Sequence, residues 1–192
     1  TPYFADGFTF QTGAGGPSLA VNRYLEPKMK AKNITMRWAL GGISAPTVTL
    51  LESGLVSAII DTQDFDQVAV KSAGENARHF EISASQYANP ANKGAFVNQL
   101  DFVILAALEV DTDFNVNVLT GSDGVLRGAP GGHPDAAAGA KCCIIVTPLM
   151  RGRMATICEH VVTVTTPGEC VDVVVTDHGI AVNPNRPDIA AW

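Results

Sequence analysis

Apolar residues along this chain fall into short blocks of two kinds. Phe102 to Leu108 and Cys142 to Val146 are continuous apolar runs of strand length, the pattern of strands covered on both faces. Ile34 to Trp38, Ser57 to Ile60 (ending at Asp61), Val161 to Thr165, Val171 to Val175 and Ile180 to Val182 read as further short strands. Between them the spacing turns helical. Leu19, Val21 and Leu25 fit a helix that follows the glycines at 13–16 and closes near Pro27. Pro46 to Leu55 fits a helix after a turn at Gly41-Gly42, and Ala136 to Lys141 fits a turn or two of Ala-rich helix. This alternation predicts an α/β fold with a largely parallel or mixed sheet. With no repeat, low-complexity tract or linker, residues 1–192 read as one domain.

Composition narrows the function classes. The 192 residues are 46% hydrophobic and 17% charged, enough for a sizeable core. Thirteen basic against 19 acidic residues give a net charge of −6, the wrong sign for a general nucleic-acid or anionic-membrane binder. The longest apolar run is too short to cross a bilayer, and no signal peptide opens the chain. A start at Thr1 suggests a piece of something longer. The four cysteines (Cys142, Cys143, Cys158, Cys170) include an adjacent pair in an apolar run and no CxxC, so core thiols in a cytoplasmic protein are expected rather than bridges. No Cys/His set has zinc spacing, and His79, His133, His160 and His178 form no i, i+4 pair, so no metal site is expected.

Three glycine-rich segments carry the candidate chemistry. Gly13-Ala14-Gly15-Gly16-Pro17 lies between an extended segment and a helix, where backbone N–H groups can face an anion or oxyanion. It is no complete dinucleotide fingerprint, because Ser18 replaces the last glycine and no acidic residue ends the next strand. No P-loop is present, and Gly16-Pro17-Ser18-Leu19-Ala20 only faintly echoes a nucleophile elbow. Arg127 to Asp135 holds a second loop before a helix, and Leu40-Gly41-Gly42-Ile43 a third after a strand. Such turns gather at the carboxyl ends of strands, where open sheets bind ligands; each taken alone also fits an ordinary turn. Glu109, Asp111 and Asp113 alternate on an extended stretch, a pattern that fits solvated carboxylates better than a catalytic cluster.

Long motifs then resemble one family. Glu81 to Pro90, Glu109 to Val118, Gly128 to His133, Ala136 to Lys141 and Thr176 to Pro184 look like the citrate lyase α-subunit family over nearly the whole chain, as its carboxyl-terminal half. The resemblance implies a three-layer αβα, CoA-transferase-like fold. It also implies an acyl-carrier-protein transferase that exchanges acetyl for citryl on a thioester, giving citryl-carrier protein and acetate. The carrier's thiol would sit on a phosphoribosyl-dephospho-CoA arm, with acetyl-CoA as a surrogate donor and no permanently bound cofactor. Partners would be citrate, the carrier-protein subunit, the lyase subunit and the remaining half of the same chain.

More distantly, the chain resembles the β half of ordinary CoA transferases, whose nucleophilic glutamate position is occupied here by Leu40. Leucine cannot form an acyl anhydride, so citrate is expected to attack the thioester directly. Gly74-Glu75-Asn76-Ala77 mimics the missing motif at another place. In this reading the backbone of Gly15, Gly16, Gly41 and Gly42 stabilises the oxyanion. Gly13, Gly128, Gly131, Gly132, Asn115 and Asn117 receive the arm, and Arg127 or Arg151 meets citrate carboxylates. The competing readings are an ordinary CoA transferase or thioester hydrolase, and a non-catalytic domain of the same fold.

Overall fold

The computed structural model describes residues 1–192. The first strand, β1 (Phe8–Thr12), is buried along its whole length and lies at the centre of an eight-stranded sheet. From it the chain runs through α1 (Gly16–Ala20), α2 (Asn22–Lys32), β2 (Met36–Ile43), α3 (Ala45–Glu52), β3 (Ile59–Asp64), α4 (Gln67–Glu75) and β4 (His79–Glu81). It returns through α5 (Ala84–Ala88) and a 3-10 turn (Phe96–Gln99) to β5 (Phe102–Ala106). Two short strands follow, β6 (Glu109–Asp111) and β7 (Val116–Asn117), then α6 (His133–Gly139) and β8 (Cys143–Val146). A hairpin of β9 (Met150–Arg151) and β10 (Met154–Ala155) precedes β11 (Ile157–Cys158) and a 3-10 turn (Gly168–Cys170). The chain closes with β12 (Val173–Thr176), β13 (Gly179–Val182) and α7 (Pro187–Ala190).

Strand order in the main sheet is β13-β12-β8-β5-β1-β2-β3-β4. All neighbours are parallel except β13, which folds back on β12 at one edge. The chain therefore winds outward from β1 to β4, then restarts at β5 on the other side of β1 and winds the opposite way. Phe10 pairs with Ala39 of β2 and with Phe102 of β5, which fixes the register at that reversal. Strand alternation feeds two cores. Trp38, Leu40, Val103, Leu105, Cys143 and Ile145 pack under α5 and α6, while Phe8, Phe10, Ala39, Ile59 and Cys142 pack under α2, α3 and α7. The result is the three-layer αβα arrangement, with a cysteine in each core and all four thiols free. Burial pushes the Cys142 thiol up to about 12. No helix is long and apolar enough to cross a membrane.

Several elements depart from the sequence pattern, each for a physical reason. Pro27 does not end a helix: α2 continues to Lys32, because Leu25 and Met29 keep one face buried while Pro27 sits on the exposed one. Asn33, in the left-handed region at φ 51°, stops it instead. Gly41-Gly42 is no turn but part of β2, where the register against β3 shifts between the two residues and Gly41 adopts φ +94°. The strand predicted at 161–165 is a loop with Val162 and Val164 exposed. The helix predicted at 136–141 starts earlier, at His133. Asp66 sets the entry to two helices: its Oδ1 accepts the N–H groups of Val68 and Ala69 in α4, and its Oδ2 accepts that of Ala45 in α3.

A buried polar network joins β3, β4 and α4. His79 bonds Ser72 Oγ through Nδ1 at 3.0 Å and Asp61 Oδ2 through Nε2 at 3.3 Å. Asp61, Asp64 and His79 bring one potential ligand atom each within 4.8 Å of the others. Burial pushes the Asp61 carboxyl up to about 7; the N–H of Gln63 opposes this, and the negative charges of Asp64 and Glu81 add to it. Burial also lowers the pKa of His79, against the pull of Asp64 and Glu81. A carboxyl whose folded pKa lies above its unfolded value favours the fold below about pH 4 and loses that contribution as the pH rises to about 7. The Asp61→Asn variant lacks this loss. Chemical denaturation at several pH values should show its stability gaining on the wild type, by on the order of 1–3 kcal/mol between pH 4 and 7.

Candidate functional site

The reversal of winding opens a cavity of about 540 Å³ between the carboxyl ends of β1 and β5. Its walls come from Gln11 and Thr12 of β1, the loop 13–17, residues 105–108, Thr62 and Gln63 of β3, Tyr87 of α5 and the loop 129–133. The Gly13 N–H donates to Ile104 O at 2.8 Å, carrying the β1–β5 ladder one residue past the strand. Ser18 is fully buried, and its Oγ lies 2.8 Å from both Gly13 O and Gly15 O, so it ties the turn rather than acting as a nucleophile. Gly15 is required by packing: a Cβ there would stand 2.4 Å from the Ala106 Cβ on β5. Gly16 has open space on its Cβ side and opens α1, where N–H groups lack intrahelical acceptors.

The second loop is pinned by His133. Its Nε2 faces the Ala106 carbonyl at 3.0 Å, which can only accept, so Nε2 carries the hydrogen and Nδ1 accepts from the Thr166 hydroxyl at 2.6 Å. Burial lowers the pKa of this imidazole, which keeps it neutral. Gly131 sits at φ +50°, and a Cβ on Gly132 would lie 2.5 Å from the Tyr87 ring.

The expected site residues divide accordingly. Gly13, Gly15, Gly16, Gly42, Gly131, Gly132 and Arg151 line the cavity. Gly41 lies behind it, against the Gln11 side chain, and Gly128 lies outside it, closed against the Val118 carbonyl. Arg151 donates to Ala107 O at 2.8 Å, whereas Arg127 pairs with Asp123 beside an adjoining cavity of about 130 Å³. Asn115 and Asn117 are drawn away from any arm. Asn117 donates to Glu109 and accepts from the N–H groups of Leu119 and Thr120. Asn115 donates to Asp111 and accepts from Gly168 N. Glu109 and Asp111 are therefore buried partners of these amides, contrary to the expectation of solvated carboxylates. Leu40 is buried in the core, and Glu75 is an exposed α4 residue 3.9 Å from Lys71. The wall contains no Asp, Glu, Lys, Cys or Ser; its ionisable side chains are Tyr87, His133 and Arg151. Gln11, Phe65 and Tyr87 escaped the sequence reading, since Gln11 and Tyr87 meet across 76 residues and only folding joins them.

Comparison with known proteins gives this geometry a family. The model for "Citrate lyase, alpha subunit (CitF)" matches residues 1–192. The chain belongs to the citrate lyase alpha-subunit family. It is 61% identical over 187 residues to the citrate lyase alpha chain of Haemophilus influenzae, covering 97% of this chain and 37% of that one. A solved structure described as a citrate lyase alpha subunit from Streptococcus mutans, in complex with citrate, superposes with a TM-score of 0.97 at 55% identity, covering 100% of this chain and 38% of that one. The chain thus spans well under half the length of these family members. The malonate decarboxylase alpha subunit of Acinetobacter baumannii, at 15% identity and TM-score 0.69 over 92% of this chain and 41% of that one, shares the fold alone.

The two neighbouring glycines make a paired test of the loop. Gly16→Ala should leave stability within about 0.5 kcal/mol and add a methyl group to the loop that lines the cavity, lowering turnover of the intact protein at least tenfold. Gly15→Ala should cost about 1–3 kcal/mol in thermal or denaturant unfolding, from the Ala106 overlap.

Proposed function

We propose that this chain supplies part of the transfer site of a citrate lyase alpha subunit. The reaction exchanges acetyl for citryl on the thioester of an acyl carrier protein, in the cytoplasm. Family membership supports the reaction class, and citrate bound to the Streptococcus mutans relative supports the acid. The observation that carries the mechanism is a cavity at the β1–β5 reversal walled by glycine backbone, with no carboxylate or thiol from this chain.

In such a site the two reactants meet directly. A citrate carboxylate oxygen attacks the acetyl thioester carbon, the C–S bond breaks and the thiolate leaves, giving an acetyl–citryl anhydride. The thiolate then attacks the citryl carbonyl, the anhydride C–O bond breaks and acetate departs. Each addition places negative charge on a carbonyl oxygen, which backbone N–H groups of the turn at Gly15 and Gly16 can stabilise. Holding both reactants in one cavity supplies the proximity. Arg151, which lines both this cavity and the smaller one, is the guanidinium we assign to a citrate carboxylate. The loop at Gly131 and Gly132 would lie along the donor's arm, phosphoribosyl-dephospho-CoA on the carrier protein or the CoA of acetyl-CoA. The remainder of the chain would face this wall, and the carrier and lyase subunits would be its partners.

Steady-state kinetics on the intact protein test this reading. Varying acetyl donor against citrate should give intersecting lines, and radiolabelled acetyl donor alone should leave no hydroxylamine-sensitive label on the protein. Parallel lines together with a trapped acyl-enzyme would establish a covalent carboxylate and overturn direct attack.

A further inference from the structure

Gln11 is the wall residue that the glycine loops leave unexplained. It is 5% exposed, and its side chain lies on the α5 side of the sheet. Its Nε2 donates to Tyr87 Oη at 2.6 Å, while its Oε1 is buried without any partner. Two other buried side-chain atoms share that condition, Asn22 Nδ2 and Asp64 Oδ1, but neither residue lines the cavity. Leaving a buried carbonyl without a donor is unfavourable, so its retention at a cavity wall points to a group that arrives with the ligand.

The pair is also held rigidly. A Cβ on Gly41 would lie 2.9 Å from Gln11 Cδ and Nε2, and one on Gly132 would lie 2.7 Å from Tyr87 Oη. Each glycine lets backbone close directly onto one member of the pair. Tyr87 Oη accepts from Gln11, so its own hydrogen remains to be donated, and burial raises its pKa and keeps that hydrogen in place. The pair thus presents one acceptor, Gln11 Oε1, beside one donor, Tyr87 O–H.

A thioester carbonyl or a plain carboxylate carries acceptors only and would leave Gln11 Oε1 unpaired. A hydroxy acid carries both: a hydroxyl hydrogen for Gln11 and an oxygen for Tyr87. We propose that Gln11, oriented by Tyr87, reads the hydroxyl of a hydroxycarboxylate in this cavity and so discriminates that acid from its deoxy counterpart. The choice of citrate as that acid rests on the transfer reading above. A secondary amide of the thioester donor's arm could also satisfy both atoms, and the experiment separates the two.

The test measures binding of citrate and of tricarballylate, which is citrate without its hydroxyl, to the full-length protein by calorimetry, with the KM for acetyl-CoA determined alongside. The wild type should bind citrate at least roughly tenfold more tightly than tricarballylate. In Gln11→Leu that ratio should fall to within about threefold, with the KM for acetyl-CoA nearly unchanged. Tyr87→Phe keeps the ring and the Gln11 amide, and should reduce the ratio in the same direction should Gln11→Leu fail to fold. Equal wild-type affinities, or a ratio that survives in the folded variants, overturns the proposal. A raised KM for acetyl-CoA with the ratio intact assigns the pair to the donor's arm and overturns it equally. Discrimination lost in the variants of a protein that shows no acyl transfer would sink the transfer reading and leave this one standing.

Discussion

Parallel strands on either side of β1 are connected in opposite directions, and everything at the site follows from that constraint. The chain leaving β1 crosses toward β2, whereas the chain leaving β5 continues toward β8, so no connection covers the gap between their carboxyl ends. The fold must then build walls there from the loops themselves. Gly13 extends the ladder between the two strands, Ser18 curls the turn back on itself, and Gly15 lets that turn settle against Ala106. His133 bonds the same residue's carbonyl from the opposite side. Ala106 is thus the point at which both glycine loops meet the sheet.

This arrangement lines the cavity with two glycine-rich loops and leaves Tyr87, His133 and Arg151 as its ionisable side chains. In the proposed transfer site, the N–H groups of Gly15 and Gly16 would suit charge that appears on a carbonyl oxygen and vanishes again, because fixed dipoles need no rearrangement as the charge develops. The carboxylates and amides of β6 and β7 form a separate scaffold that fixes the segment above β5. The network of Asp61, His79 and Ser72 likewise belongs to the seam between β3, β4 and α4.

Much of this was legible in the sequence because parallel strands buried on both faces leave continuous apolar runs. Phe102 to Ala106 and Cys143 to Val146 appear where that pattern puts them. The glycine loops at 13–16 and 131–132 were legible as well, since each precedes a helix. Gly41-Gly42 misled because a bulge inside a strand and a turn after one use the same residue. Asn115 and Asn117 read as ligand contacts, whereas the fold pairs them with Asp111 and Glu109, and that burial is a tertiary property. The Gln11–Tyr87 contact left no local trace at all: it depends on α5 packing across the sheet from β1.

The most direct test of a site at this reversal is a crystal structure of the intact protein with a carba analogue of acetyl-CoA, in which a methylene group replaces the thioester sulfur. The account requires its carbonyl oxygen to lie within hydrogen-bond distance of backbone N–H groups in the Gly13–Gly16 turn, with the arm against Gly131 and Gly132. An analogue seated instead in the smaller cavity beside Arg127, or at the outer edge of the sheet along β13, would contradict it.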